Sequence, residues 1–99
     1  MSYMFYNGSV FDQDISLWNV SSVASMQAMF RLAPAFNQDI GGWDVSNVTD
    51  MQLMFLDAAA FNQDLAGWCV INIPTTPPSF DQNAISWVLP RPVWGTCPP

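Results

Sequence analysis

Three aspartates recur at one spacing: Asp14, Asp39 and Asp64 follow one another at 25 residues, and Asn83 ends the row. Stacked one per copy at about 5 Å, such carboxylates would repel. They can accept backbone N–H groups in turns, fan into solvent, or coordinate calcium, which takes several oxygens in flexible geometry. Asp14, Asp39 and Asp64 are therefore the candidate calcium ligands. A neighbouring mixed row runs through Asp12, Asn37, Asn62 and Asp81. Cys69 and Cys97 are the only cysteines, and their separation of 28 residues is not a zinc-ligand spacing. A disulfide between them is expected, contributing roughly 3–4 kcal/mol through loop closure and implying an oxidising compartment. Asn7, Asn19 and Asn47 each begin an N-x-S/T sequence and are the candidate N-glycosylation sites. Asn47 also has a structural reading, because it lies inside a repeated pattern. Modification would require secretion from a eukaryotic cell.

Other chemistry is hard to assemble. The chain has no His, no Lys and no Glu, and it has no Gly-rich phosphate loop, so neither a catalytic triad nor a nucleotide cradle is available. Paired Asp residues serve glycoside hydrolysis, but here they recur by repetition, and a structural use is simpler. No catalytic residue, no cofactor-binding residue and no cofactor is expected, and the chain reads as a non-enzyme. Arg31 and Arg91 are the only cations in a chain of net charge −6. Two cations cannot neutralise a phosphate backbone or hold an anionic lipid surface. No apolar run approaches the roughly 18 residues of a membrane span, and residues 1–3 have no signal-peptide character.

The elements that position these residues are set by repetition. Phe11 and Trp18, Phe36 and Trp43, Phe61 and Trp68, and Phe80 and Trp87 share one spacing; the first three pairs repeat at 25 residues and the last follows 19 later. Met26, Met29 and Phe30 recur as Met51, Met54 and Phe55, with Met1, Met4 and Phe5 one period earlier. Ile15, Ile40 and Leu65 align, as do Gln13, Gln38, Gln63 and Gln82. A fixed period of this length is the signature of stacked repeats, and the Phe, Trp and Met rows read as core in preference to an aromatic platform for carbohydrate. The Gln row is expected to bond to backbone in the turns or to itself between copies.

Within one copy, Trp43-Asp44-Val45 alternates like a short strand. Thr49 and Gln52 fit a capping box, and Val48, Met51, Met54, Phe55 and Ala58 follow at helical spacing, which predicts a helix over 50–58. One strand and one helix per period is the leucine-rich-repeat plan. The expected fold is α/β: a right-handed leucine-rich-repeat-like solenoid, with parallel strands at Trp18–Val20, Trp43–Val45, Trp68–Val70 and Trp87–Leu89 on one face and short helices on the other. The chain reads as one solenoid domain, 1–99, with copies at about 1–17, 18–42, 43–67 and a shortened 68–87. A Pro-rich C-terminal cap, 88–99, is expected to be pinned by Cys97 to Cys69. Because Met1 falls inside the expected helix, the chain is expected to be a fragment of a longer array, whose open N-terminal edge contacts more protein.

The run Trp43-Asp44-Val45-Ser46-Asn47-Val48-Thr49-Asp50-Met51, then Met54-Phe55, then Ala60-Phe61-Asn62-Gln63-Asp64-Leu65 and Trp68, resembles the repeat of the BspA-like surface-protein family of bacteria and single-celled eukaryotes. The resemblance covers roughly residues 1–87 and implies a leucine-rich-repeat relative that is secreted or surface-anchored, often adhesive, with no catalytic residues to carry over. The chain departs from that pattern in its shortened last copy, its Pro-rich tail and its lack of an anchor or signal. The expected function is a non-catalytic extracellular repeat module for adhesion or protein–protein interaction. Its partner would be chosen by positions that vary between copies, such as Leu17, Gly42 and Gly67, or Arg31 and Leu56. The alternative is a structural subunit of an extracellular assembly whose ends stack between chains. Expected partners are a protein or neighbouring subunit at the N-terminal edge and a candidate glycan, with no nucleic acid and no direct membrane insertion.

Overall fold

In the computed structural model, which describes residues 2–98, the stretch from Met51 to Ala58 is a run of overlapping β-turns and not a helix. Met54 N–H donates to Met51 O (3.2 Å), Leu56 N–H to Leu53 O (3.3 Å) and Ala58 N–H to Phe55 O (3.0 Å). The N–H groups in between turn outward to the next copy: Leu53 donates to Pro78 O (3.0 Å), Phe55 to Phe80 O (2.8 Å) and Asp57 to Gln82 O (2.9 Å). One period earlier, Ala28, Phe30 and Leu32 donate in the same way to Gln52, Met54 and Leu56, and before them Tyr3, Phe5 and Asn7 to Gln27, Met29 and Arg31. This alternation requires left-handed residues at fixed places. Tyr3 and Asn7, Ala28 and Leu32, Leu53 and Asp57, and Ser79 and Asn83 all have φ between 52° and 62°.

Among the described residues there is neither an α-helix nor a β-strand, and one isolated parallel bridge joins Ser25 and Asp50. The expected α/β solenoid of leucine-rich-repeat type is therefore overturned, together with its helix over 50–58, its three Trp–Val strands and the fourth at Trp87–Leu89. The helical spacing misled because each turn closes from residue i to i+3. Met51, Met54, Phe55 and Ala58 fall inward, all fully buried, as they would on a helix face. The Trp–Val segments do alternate, with Trp43 and Val45 buried and Asp44 exposed. Their backbone nonetheless closes locally, Trp43 N–H onto Ile40 O (3.1 Å) and Val48 N–H onto Val45 O (3.0 Å). What crosses between copies there is the indole: Trp43 Nε1 donates to Ile15 O (3.0 Å) and Trp68 Nε1 to Ile40 O (2.9 Å). The capping box is also absent, since Asp50 Oδ1 accepts from Gln52 N–H (3.0 Å) and Thr49 Oγ1 donates to Ala24 O of the preceding copy (3.3 Å).

Rows of identical side chains fill the interior. Within a copy, Phe30 stacks on Phe36 (4.1 Å between centroids) and Phe55 on Phe61 (4.3 Å). Between copies, Phe5, Phe30 and Phe55 follow at 5.6 and 5.4 Å, and Phe11, Phe36 and Phe61 at 5.5 and 5.8 Å. Each left-handed non-Gly residue costs about 1–2 kcal/mol, and each backbone bond returns about 1 kcal/mol net, so the turns alone roughly break even. Full burial of Met54, Phe55 and Phe61, at about 1.5–3 kcal/mol per side chain, decides in favour of the fold. The body measures 34 × 24 × 19 Å with a radius of gyration of 12.0 Å, the compactness of a globular domain of this length.

The last copy keeps a full period. Phe80 N–H closes on Pro77 O, Ala84 on Asp81 O and Trp87 on Ala84 O, repeating the turns of Met54, Ala58 and Phe61. Phe80 therefore fills the slot of Met54, and Trp87 that of Phe61, with its ring edge-on to Phe61 at 4.8 Å. The shortened copy read from Phe80 and Trp87 is thus a coincidence of spacing. Residues 88–98 then fold back on the body through Leu65 N–H to Pro90 O (3.0 Å) and Val70 N–H to Thr96 O (2.9 Å), with Trp94 edge-on to Phe80 at 4.8 Å. Gly95 has φ +76° with its Cα facing Pro74, a conformation that suits glycine. The core slot expected for Met1 lies outside the described residues.

Leu53, half-buried and left-handed, separates the two readings of its segment. Leu53→Gly in a helix interior would cost about 1 kcal/mol from propensity alone. Relief of the left-handed backbone should instead keep the loss in a urea melt below about 0.5 kcal/mol; a loss well above 1 kcal/mol would restore the helix.

Candidate functional site

The candidate calcium ligands turn out to organise backbone. Asp14 Oδ1 accepts from Ser16 N–H (3.0 Å) and from its hydroxyl (2.6 Å), Asp39 Oδ1 from Gly41 N–H (2.9 Å), and Asp64 Oδ1 from Ala66 N–H (2.9 Å). Each closes a turn two residues ahead of itself. Among the described residues no group of three or more His, Cys, Asp or Glu side chains is placed to hold a metal ion. Asn19 and Asp44 do the same work one turn on, with Ser21 and Ser46 donating N–H (3.0 and 3.1 Å) and hydroxyl (2.6 Å each) to their Oδ1 atoms. Cys69 holds the same place in the next copy, and there the side chain is bonded to Cys97 instead. The serine hydrogen bonds, side-chain first and then backbone, hold the carboxyls of Asp14 and Asp44 below the ordinary aspartate value of 3.8.

The mixed row links the copies laterally. Asp12 Oδ1 accepts from Asn37 N–H (2.9 Å) and Gln38 Nε2 (3.0 Å), and Asn37 Oδ1 accepts from Asn62 N–H (2.8 Å) and Gln63 Nε2 (3.0 Å). Asn62 Oδ1 receives Val88 N–H (2.9 Å) and Leu89 N–H (3.0 Å), and Val88 offers no oxygen to continue the row. Gln38 and Gln63 thus bond to the preceding copy and not to one another. Asp81 stands apart from this row and pairs with Arg91 (3.0 Å).

Of the three sequons, Asn7 sits at a left-handed turn position, and Asn7, Asn19 and Asn47 are all exposed. Asn47 Nδ2, the atom a glycan would take, donates to Ser21 O of the preceding copy (2.7 Å), a bond that Asn72 repeats onto Ser46 O (2.8 Å). Sequence spacing alone did not reveal this bond.

Exposure singles out one end of the molecule. Trp43, Trp68 and Trp87 are 4%, 1% and 3% exposed, but Trp18 is 43% exposed. Met29 and Met54 are fully buried, whereas Met4 in the same slot is 51% exposed, beside Tyr3 and Tyr6. Phe5 and Phe11, stacked at 3.9 Å, are half-buried where their counterparts are fully buried. A second apolar group, Ile85, Val88 and Val93, is exposed near the C-terminal segment. A shallow cleft of about 340 Å³ opens between Thr49–Gln52 and Ile73–Pro78, where Pro74 replaces the N–H that Thr49 gives to Ala24 O. Among the described residues no helix is long and apolar enough to cross a membrane.

A family model described as "Mycoplasma protein of unknown function, DUF285" matches residues 1–88. Neither a curated protein nor a solved structure matches the chain.

The lowered carboxyls give a signed expectation. A depressed folded-state value adds stability that is present above the unfolded value and lost as pH falls through the folded one. Stability should therefore decline on acidification below about pH 4. Asn19 makes the same turn uncharged, so Asp44→Asn should leave the neutral-pH melting temperature nearly unchanged and flatten the acid limb. An acid limb as steep as that of the parent protein would show that Asp44 contributes nothing to it.

Proposed function

We propose that this chain, which belongs to the DUF285 family, is a non-catalytic extracellular repeat module for adhesion or protein–protein contact, with its partner seated on the N-terminal edge. The observation that carries the reading is the contrast between Trp18, 43% exposed, and Trp43, 4% exposed, at the same place in successive copies. Trp18, Met4, Phe5 and Phe11 hold slots whose counterparts are enclosed by the preceding copy; a further copy or a partner chain would enclose them alike, and desolvated Trp and Tyr are common anchors of protein interfaces. The Cys69–Cys97 bond fits an oxidising compartment, and the likeness to BspA-like surface proteins supports an address outside the cell. The absence of buried polar or charged residues among those described fits a body whose working surface is its exterior.

A second reading, a structural subunit whose ends stack between chains, is favoured by one feature of the backbone. The carbonyls of Ser2, Met4 and Tyr6 hold the places at which Gln27, Met29 and Arg31 accept bonds from the copy before, and such a row of acceptors suits strand-like addition.

Both readings are tested by binding and sedimentation with the whole chain. Immobilised protein is offered purified fibronectin, laminin and collagen, and the same stock is sedimented across a concentration series. Saturable binding to one of them, weakened at least about tenfold by Trp18→Arg (about 1.4 kcal/mol), is the expected result. Binding indifferent to Trp18→Arg, or none to any of the three by a folded monomer, would count against the adhesion reading. Growth into oligomers abolished by the same substitution would favour end-stacking.

A further inference from the structure

The two arginines are held differently. Arg91 is paired with Asp81 at 3.0 Å and lies over the Trp87 ring at 4.5 Å. Among the described residues Arg31 has no ion pair, although the chain carries eight aspartates. Its Nε is buried without a hydrogen-bond partner, and its guanidinium lies 5.6 Å from the centroid of Tyr6. Asp57, next in sequence to the Leu56 of the following copy, accepts from Asn83 Nδ2 at 3.0 Å.

The surroundings are apolar and aromatic. Tyr6, Arg31 and Leu56 occupy one turn position in three successive copies, each N–H closing on Tyr3, Ala28 and Leu53 respectively. Tyr3 packs edge-on against Tyr6 at 5.7 Å, and Leu53 and Leu56 are half-exposed. Unlike the Phe, Trp, Gln and Asx rows, this column changes residue at every copy, so no stacking requirement accounts for an arginine there. The Nε is closed to solvent and so to any ligand, but the side chain as a whole is only partly buried, and a carboxylate pairs with the two terminal nitrogens of such a fork through two parallel bonds. Tyr and Arg together are the residue types that dominate interface energetics.

We propose that the face formed by Tyr3, Tyr6, Arg31 and Leu56 binds a protein segment that presents a carboxylate side chain next to an apolar residue. The carboxylate pairs with Arg31, and the apolar neighbour packs on Tyr6 and Leu56. A sugar acid shares the carboxylate but would bring hydroxyls that Leu53 and Leu56 cannot satisfy. This site rests on the reading of the chain as a protein-binding module; it shares Tyr3 and Tyr6 with the N-terminal end but does not include Trp18.

The test is a nitrogen-15 NMR titration of the whole chain that follows the Arg31 Nε–H signal. The probes are acetyl-Leu-Asp-Leu-amide, its Asn analogue and 3′-sialyllactose. The expected result is a saturable shift with the Asp peptide, at least about tenfold weaker with the Asn peptide, as the loss of a charge-assisted pair implies. Arg31→Gln should abolish the response with its fold intact by thermal melt, and Arg31→Lys should weaken it. The response should survive Trp18→Arg, which separates failure here from failure of the edge reading. Equal response to both peptides, response to 3′-sialyllactose alone, or no shift at millimolar peptide would each overturn the proposal. The comparison of peptides on the parent protein stands even if Arg31→Gln fails to fold.

Discussion

Each copy of this chain must divide its backbone N–H groups between two directions, and the other features of the body follow from that division. Alternate N–H groups close turns on residues three back, and those between reach the neighbouring copy. A right-handed helix would send all of them along its own axis and leave nothing to join the copies. The left-handed residues, from Tyr3 and Asn7 to Ser79 and Asn83, break that uniform direction. Their strain is tolerable only because the surrounding core over-determines it: the rings of Phe30, Phe36, Phe55 and Phe61 lock in rows that a helical backbone would displace.

The same constraint explains where the polar side chains stand. With the interior filled by identical apolar rows, no described polar or charged residue is buried, and the Asx and Gln side chains join the copies from the margin. Asp12, Asn37 and Asn62 each offer an oxygen to the copy that follows, and the series stops where Val88 arrives in their place. Asp14, Asp39 and Asp64 shape turns within their own copy, so their charge is already committed to backbone. What repetition does not explain is the exposure of Trp18 and Met4, and the changing column that contains Arg31. The disulfide belongs to the same logic, since Cys69 takes the slot of Asn19 and Asp44 and replaces a turn-closing acceptor with a covalent tie to the C-terminal segment.

The residues themselves showed the period, the buried Phe, Trp and Met rows and the cysteine pair, because each depends on residue type and spacing alone. The Asp14, Asp39 and Asp64 row was legible as a stack of carboxylates, with turn capping among its outcomes. Which outcome held depended on where Ser16, Gly41 and Ala66 point their N–H groups. The secondary structure was not legible. Turns closing at three residues and a helix of 3.6 per turn bury Met51, Met54, Phe55 and Ala58 alike, and nothing in a leucine announces the left-handed backbone found at Leu32 and Leu53. The register of the last copy was hidden for a similar reason: Trp87 fills a Phe slot, so the Phe80–Trp87 spacing imitated a motif. Only tertiary structure decided these points, because they turn on which carbonyl each N–H reaches, and that partner lies about 25 residues away along the chain and only a hydrogen bond away in space.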